Sequence, residues 1–460
     1  MAQSSPAQSA QQQQLRQEHH ELICVGFGPS AISLGIALKE SSPTTDVVFL
    51  EEQPKSLWQP LSDLPGHTHM GSNFLNDLIT LQNPRSRFTF IQFLHSRKLL
   101  VDFTNLGLMQ PSRDIFGDYL SWCASHFESE ARYGSQITSI EPVFSNKRKV
   151  GRWNVTARNQ ETGQRTLYTA KRLIVSVEQR PELPSVLLKP SLGQAVVHAS
   201  RCMNRVADLT RPEAPPVRIA IFGQTQEAAE LFMDLYDIRS DREVFWFVEG
   251  QSLDAGITSP FAEASFSEPE ASRVVPELRE QKLNGSRIDP STLRKVYETQ
   301  YAQSVKQPDS TKWKFQIKLN CLIGDTRQSS DGQVQLTWFD KNKEQMQKLD
   351  FGLVIAATSF SRTDLHQSLF VNLQKRGLLD GSFPTINGDY AVNLRRTVPE
   401  PGVGLWCMGS VGTTEKSVGE GSFSIVAERS ARIVRAVATC KKQEQRAERE
   451  QVAQGVQAQL

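Results

Sequence analysis

The chain has 460 residues, with 52 lysines and arginines against 50 aspartates and glutamates, so the formal net charge is +2. That balance excludes a global electrostatic pull toward nucleic acid or an anionic membrane surface. Hydrophobic residues are 38% and charged residues 22%, which excludes a wholly disordered chain, and the length suits roughly two or three domains with cores of their own. No stretch reaches the ~18 uninterrupted apolar residues of a membrane span. Cys24, Cys123, Cys202, Cys321, Cys407 and Cys440 are scattered without a CxxC pair. Their spacing argues against a disulfide framework or a zinc site and suits a reducing, cytoplasmic compartment.

Residues 1–20 are polar and Gln-rich with no apolar signal core, and read as a disordered tail. Ordered sequence is expected from Glu21. Glu21–Val25 is an apolar strand, Gly26-Phe27-Gly28-Pro29-Ser30 a turn, Ala31–Leu38 a helix and Asp46–Leu50 a second strand that ends in Glu51 and Glu52. Strand, glycine turn, helix, strand and acid make the pattern of a dinucleotide site. Glycines let the backbone approach a pyrophosphate at a helix N-terminus, and an acid ~20 residues on accepts a ribose hydroxyl. Ala31 stands in place of the third glycine and still permits close helix packing.

Further along, Ser112–Phe127 reads as an amphipathic helix with Phe116, Tyr119, Leu120 and Trp122 toward the core. Residues 136–140, 153–157 and 172–177 read as strands. The first plan then repeats. Val217–Phe222 is a strand, Gly223 a turn, Glu227–Ile238 a helix and Glu243–Val248 a strand that ends at Glu249. This second turn, Gly223-Gln224-Thr225-Gln226-Glu227, is poor in glycine. Asp289-Pro290 caps and opens a helix carrying Leu293, Val296, Tyr297 and Tyr301. Residues 334–339 and 351–356 return to strands, 424–439 form a last helix, and 441–460 read as a charged extension that frays. The fold class is α/β, with two Rossmann-like dinucleotide-binding domains. There is no serine nucleophile elbow, P-loop or HExxH, and His67 and His69 lack a partner at ligand spacing. Chemistry must then come from a cofactor, with no metal expected and no catalytic side chain identifiable.

The ordered series Phe49-Leu50-Glu51-Glu52-Gln53-Pro54, Leu57-Trp58, Phe74-Leu75-Asn76-Asp77-Leu78, Asn83-Pro84, Phe88-Thr89-Phe90, Pro111-Ser112-Arg113 and Tyr119-Leu120-Ser121-Trp122 resembles the flavin-dependent N-hydroxylating monooxygenases. These act on the side-chain amines of ornithine and lysine, usually in siderophore biosynthesis. The resemblance continues through Ala228-Ala229-Glu230 and Pro260-Phe261 to residues 415–426, and so covers nearly all of 21–440. It implies an FAD domain built from 21–200 and 351–440, with a nicotinamide domain and part of the substrate site inserted at 201–350. It implies FAD at Gly26, Gly28, Pro29, Ser30 and Glu51, with Trp58 and Met70 near the flavin. NADPH would lie at Gly223, Gln226 and Glu230, with NADH as the second choice. In the implied chemistry NADPH reduces FAD, the reduced flavin captures O2 as a hydroperoxyflavin, and a neutral primary amine attacks its distal oxygen. Related enzymes are often dimers or tetramers, so a homo-oligomer is expected.

The chain also departs from the family pattern. The second glycine of the nicotinamide loop is lost and Glu227 enters it; Ala357-Thr358-Ser359-Phe360 replaces ATGY; Glu178 and Gly71 replace an expected glycine and glutamine; Gln59 replaces a histidine; and 415–420 depart from the terminal loop. Asn76 stands where a lysine holds the substrate carboxylate, and Glu263 where an asparagine binds substrate. These charges predict an amine without a free amino-acid headgroup, such as a diamine. Glu249 predicts reduced preference for the phosphorylated nicotinamide. Two readings remain open here, a divergent amine N-monooxygenase and a flavin-binding relative that has lost amine oxygenation.

Overall fold

The computed structural model describes residues 16–55, 70, 72–146, 149–177, 180–181, 183–211, 217–239, 242–254, 288–358, 360–361, 364–379, 384–395, 397–408 and 423–457. The chain begins with β1 (Arg16–Val25), α1 (Pro29–Ser41) and β2 (Val47–Leu50), then α2 (Phe90–Ser96), α3 (Leu100–Asn105) and α4 (Arg113–Ser125). Strands β3 (Ala131–Arg132), β4 (Ser135–Asn146), β5 (Lys149–Asn159), β6 (Arg165–Val175) and β7 (Arg180–Pro181) follow. Next come β8 (Val196–His198), α5 (Met203–Thr210), β9 (Ile219–Phe222), α6 (Gln226–Arg239), β10 (Val244–Phe247), α7 (Pro290–Lys306) and β11 (Phe315–Lys318). Strands β12 (Cys321–Gln328), β13 (Val334–Asp340), β14 (Gln345–Phe351), β15 (Leu353–Ala356) and β16 (Phe360–Ser361) lead to α8 (Asp364–Lys375). Strands β17 (Val398–Pro399) and β18 (Gly404–Cys407) and helix α9 (Val426–Gln457) complete the described chain.

The first sheet runs β17-β5-β6-β1-β2-β3, with β18 also beside β6 and β4 beside β5. Both faces of β1 are covered. Leu22 and Cys24 join the core under α1, α4 and α9, whereas Ile23 and Val25 join the core formed with β5, β6 and α8. Burial on both sides is why this strand reads as a continuous apolar run. Strand β1 starts at Arg16, within the segment expected to be a tail, because its backbone continues along β6 from Arg16–Thr166 to His20–Ala170. Backbone pairing needs no apolar side chains, and His20 adds a 3.1 Å contact to Asp46. A charged strand start of this kind leaves no hydrophobic signal.

The second sheet, β11-β10-β9-β15-β8, is parallel throughout. It draws on residues 196–356, slightly wider on each side than the expected insert. Ile219, Ile221, Val244 and Trp246 face the helical layer, and Ala220, Phe222, Phe245 and Phe247 face the antiparallel β12-β13-β14 layer. The single strand expected over 351–356 divides between two sheets at Gly352. A side chain there would meet Val217 at 2.6 Å, and the Gly352 N–H turns to the Arg218 carbonyl.

Helix α4 is capped by Ser112, and Phe116, Tyr119 and Leu120 are buried as expected, whereas Trp122 is half-buried against Phe88 and His126. Asp289 caps α7 through the Ser291 N–H. That helix buries Val296 and leaves Tyr297 and Tyr301 exposed.

The C-terminal extension is helical through Gln457 and joined to the sheet. Arg172 of β6, 2% exposed, pairs with Glu21 at 3.2 Å and with Glu444 of α9, while Lys171 also reaches Glu444 and Lys441 reaches Glu21. Gly402, at φ +87°, lies under the Glu444 side chain. Burial works against the Glu444 charge, but Lys171 and Arg172 outweigh it and hold the carboxyl below its usual range. Its stabilising effect is therefore present above the unfolded carboxyl pKa and is lost as pH falls through the lower folded value. Glu444→Gln should lower the unfolding free energy by about 1–3 kcal/mol at neutral pH, because a buried guanidinium loses one of its partners. The loss, read from denaturant midpoints, should shrink at pH values low enough to protonate Glu444. Truncation after Glu448 should leave the midpoint nearly unchanged.

Candidate functional site

At the end of β1 the chain turns through Gly26 at φ +93°. The Gly26 N–H donates to the Leu50 carbonyl at 2.8 Å, and the Ser176 N–H donates to the Val25 carbonyl at 2.7 Å. A Cβ on Gly26 would lie 2.1 Å from the Ser176 carbonyl oxygen, so the turn requires glycine. Phe27 is buried, and its N–H donates to Glu51 Oε2 at 2.7 Å, while the Gln53 N–H donates to Oε1 at 2.8 Å. The acid at the end of β2 thus holds the glycine turn and keeps further lone pairs for a hydroxyl. Gly28 is the N-cap of α1 with extended backbone and no side-chain cap, and Pro29 follows at the first helical position. A glycine turn leading into an uncapped helix N-terminus suits a phosphate.

Sequence reasoning missed a residue at this turn. Arg429 of α9, 2% exposed, donates from Nη2 to Ser30 Oγ at 3.4 Å. The residues are 399 positions apart, and Arg429 sits in a charged helical pattern that gives no sign of burial. Glycine turn, uncapped helix and buried cation together fit a pyrophosphate.

The segment carrying Met70 and Asn76 is fixed by buried hydrogen bonds. The Met70 N–H donates to the Pro111 carbonyl at 2.8 Å, and the Phe74 N–H to the Met109 carbonyl at 2.9 Å. Ser33 Oγ donates to the Leu78 carbonyl at 2.6 Å, the Leu78 N–H donates to Tyr119 Oη at 3.2 Å, and Tyr119 donates to the Phe88 carbonyl at 2.9 Å. Asp77, 1% exposed, accepts from the N–H groups of Ile79, Thr80 and Phe90 at 2.9, 2.6 and 2.7 Å. Burial still raises its pKa. The half-buried Asn76 is therefore held by its neighbour, and the lone acid in an apolar motif was the signal that could have identified this clamp.

The second turn repeats the first. Gly223 has φ +124°, its N–H donates to the Phe247 carbonyl at 3.3 Å, and the Ala357 N–H donates to the Phe222 carbonyl at 2.7 Å. A Cβ here would lie 2.0 Å from the Ala357 carbonyl oxygen. The helix start differs. Thr225 Oγ1 accepts from the Ala228 N–H at 3.2 Å and donates to the Ala357 carbonyl at 3.0 Å. Gln226 Oε1 accepts from the Asp289 N–H at 2.7 Å, and its Nε2 donates to Glu230 at 2.8 Å and to Thr292 at 3.0 Å. Glu230 also pairs with Arg113 of α4 at 3.3 Å. Gln226 and Glu230 thus face protein partners, and Glu249 is exposed just beyond β10.

Trp58, Gly71, Glu263 and residues 415–420 lie outside the described residues, as do His67, His69, Glu178 and Ser359. The six cysteines are each buried, and desolvation pushes the Cys24, Cys123, Cys202 and Cys407 thiols well up, which suits packing and not nucleophilic chemistry. No described helix is long and apolar enough to cross a membrane.

Asp234 follows Glu230 by one helical turn. Burial, then the nearby Glu230 and Asp237, push its carboxyl up to about 7, with Arg113 pulling the other way. The folded chain thus holds a proton that the unfolded chain releases near pH ~3.9. Stability falls as pH rises from there to about 7, and the full cost stands above that. Asp234→Asn should melt higher than the parent at pH 8 and nearly level with it at pH 4. An equal difference at both pH values would point to packing instead.

Comparison with known proteins agrees with this geometry. The family model for L-lysine 6-monooxygenase/L-ornithine 5-monooxygenase matches residues 18–362. An L-ornithine N(5)-oxygenase of Arthrobotrys oligospora is 33% identical over 436 residues, covering 91% of this chain and 88% of that one. The solved ornithine hydroxylase of Pseudomonas aeruginosa aligns with a TM-score of 0.80 at 28% identity, over 92% of this chain and all of that one. The ornithine N-hydroxylase of Kutzneria sp. 744, in a structure described with reduced FAD, NADP+ and L-ornithine, aligns with a TM-score of 0.80 at 26% identity, over 92% and 100% of the two chains. The protein belongs to the L-lysine 6-monooxygenase/L-ornithine 5-monooxygenase family and is an FAD- and NADPH-dependent N-hydroxylating monooxygenase acting on an amine.

Proposed function

We propose that this enzyme hydroxylates a primary alkyl amine that carries no free α-carboxylate, by the overall reaction RNH2 + O2 + NADPH + H+ → RNHOH + H2O + NADP+. The observation that carries the substrate choice is Asn76, half-buried and held in place by the buried Asp77 clamp, where the resemblance calls for a lysine. A neutral amide cannot replace a charge-assisted pair to a carboxylate. Glu263, where the resemblance calls for an asparagine, adds an acid that disfavours an anionic headgroup. A diamine or an amine on a larger neutral intermediate fits this charge pattern. Free L-ornithine is the second reading, and the names of the relatives favour it.

In this reading Gly26, Gly28, Pro29 and Ser30 receive the FAD pyrophosphate, with Arg429 acting through Ser30, and Glu51 accepts a ribose hydroxyl. Met70 and Trp58 flank the flavin. Gly223 and the Gln226 backbone at the start of α6 receive the nicotinamide dinucleotide, while the Gln226 side chain stays bonded to Glu230 and Thr292. When bound, FAD reduced by NADPH supplies the activated oxygen. The chain must present the amine in its neutral form, although a free alkyl amine has a pKa near ~10.4 and is mostly protonated at neutral pH. Desolvation at the site favours that neutral form. The Thr225 cap leaves less room for a phosphate at the second turn, and Glu249 repels a 2′-phosphate, so NADH is a workable second donor. Acylated hydroxylamines are hydroxamates, which chelate iron, so the product belongs in siderophore or other specialised-metabolite biosynthesis.

Gly28→Val should crowd the pyrophosphate and yield protein with most of its flavin absorbance lost, whereas full occupancy would remove this assignment. For the substrate, ornithine, lysine, putrescine and cadaverine should be compared by hydroxylamine formed, since uncoupled oxidation inflates nicotinamide loss. The diamines should react and the amino acids lag. Asn76→Lys with Glu263→Asn should shift activity toward the amino acids. Coupled hydroxylation of ornithine with inert diamines would establish the second reading.

A further inference from the structure

The Arg113–Glu230 pair joins the two nucleotide-binding halves. Arg113 opens α4, two residues after Pro111, whose carbonyl holds Met70. Glu230 lies one turn into α6 and is bonded to Gln226 at the start of that helix. Each end of the pair is therefore anchored in an element that borders a cofactor. The side chains are only 16% and 9% exposed, so the pair is shielded from water and responds strongly to geometry. Asp114 on α4 and Asp234 and Asp237 on α6 add acids near the Arg113 guanidinium. Interfaces between domains of one chain are ordinarily polar and permit relative motion. A shielded charge contact of 3.3 Å across such an interface favours the angle between the domains that keeps the two groups together.

That angle bears on the reaction. Hydride transfer from a nicotinamide to a flavin needs the reacting atoms about 3–3.5 Å apart, and a displacement of ~1 Å can cost on the order of a hundredfold in rate. We propose that Arg113 is a positioning residue, whose ion pair with Glu230 sets the angle at which the nicotinamide domain presents NADPH to the flavin. The proposal rests on the assignment of the two glycine turns to FAD and NADPH.

The test uses the full FAD-loaded chain under anaerobic conditions. Arg113→Met, Glu230→Gln and the double variant are compared for flavin reduction by saturating NADPH, flavin reduction by dithionite, NADP+ affinity and flavin content. Each single variant should slow NADPH-driven reduction on the order of tenfold to a hundredfold. The double variant should be no slower than the singles, because both remove the same contact. Dithionite reduction and flavin content should stay close to the parent in all three variants, and NADP+ affinity should stay close to the parent in Arg113→Met. Additive losses, unchanged reduction by NADPH, or an equal loss of NADP+ affinity in Arg113→Met would overturn the proposal, the last by making Arg113 a nucleotide ligand. Should Arg113→Met fail to fold, Arg113→Lys carries the test. It keeps the charge but loses the planar fork, so an intermediate rate is expected and a parental rate overturns the latch. A parent protein inert to both NADPH and NADH would overturn the cofactor assignment and the latch with it. A reducible parent with insensitive variants would overturn the latch alone.

Discussion

Two glycines press their α-carbons against backbone carbonyls, Gly26 against Ser176 and Gly223 against Ala357. In each case the carbonyl belongs to the residue just past a neighbouring strand, and the glycine N–H bonds to the end of the next strand in the unit. A side chain at either place would push apart the two strand ends that frame a nucleotide site. Everything around the turns is arranged for this approach: apolar strands buried on both faces, and a helix that starts immediately afterwards.

The two turns share backbone construction but differ in chemistry. At α1 the N-cap is a glycine without a side-chain cap, and a buried arginine arrives from the far end of the chain. At α6 the corresponding position is a threonine whose hydroxyl already accepts an amide N–H. One helix start remains open to a phosphate, whereas the other is partly satisfied by the protein itself. The first turn thus keeps the open helix start that the proposed flavin site needs, and the second does not.

Long-range ionic contacts hold the first sheet and α9 together. Arg172 is enclosed by Glu21 of β1, five strands earlier in sequence order than β6 but adjacent to it in the sheet, and by Glu444 of α9. Arg429, on the same helix, reaches Ser30. Helix α9 therefore both stabilises the sheet and completes the cradle at α1. The Arg113–Glu230 pair extends the same use of buried charge across to the second half.

Much of this architecture was legible in the sequence alone. Apolar runs that end at Gly26 and Gly223, acids at Glu51 and Glu249, the helix from Ser112 and the Asp289-Pro290 opening are local patterns, and local backbone chemistry decides them. The family could be read from motifs in order, and Asn76 could be read from the motif around it. Other features depended on which distant segments meet. The polar start of β1 takes its conformation from the edge of β6, and the charged C-terminal helix from Arg172. Gly352 separates two sheets because Val217 lies against it. Arg429 and Arg113 look like ordinary polar residues in the chain. Their burial, and so the strength of their charge, exists only once tertiary packing removes water around them, because desolvation is a property of the assembled fold and not of the local sequence.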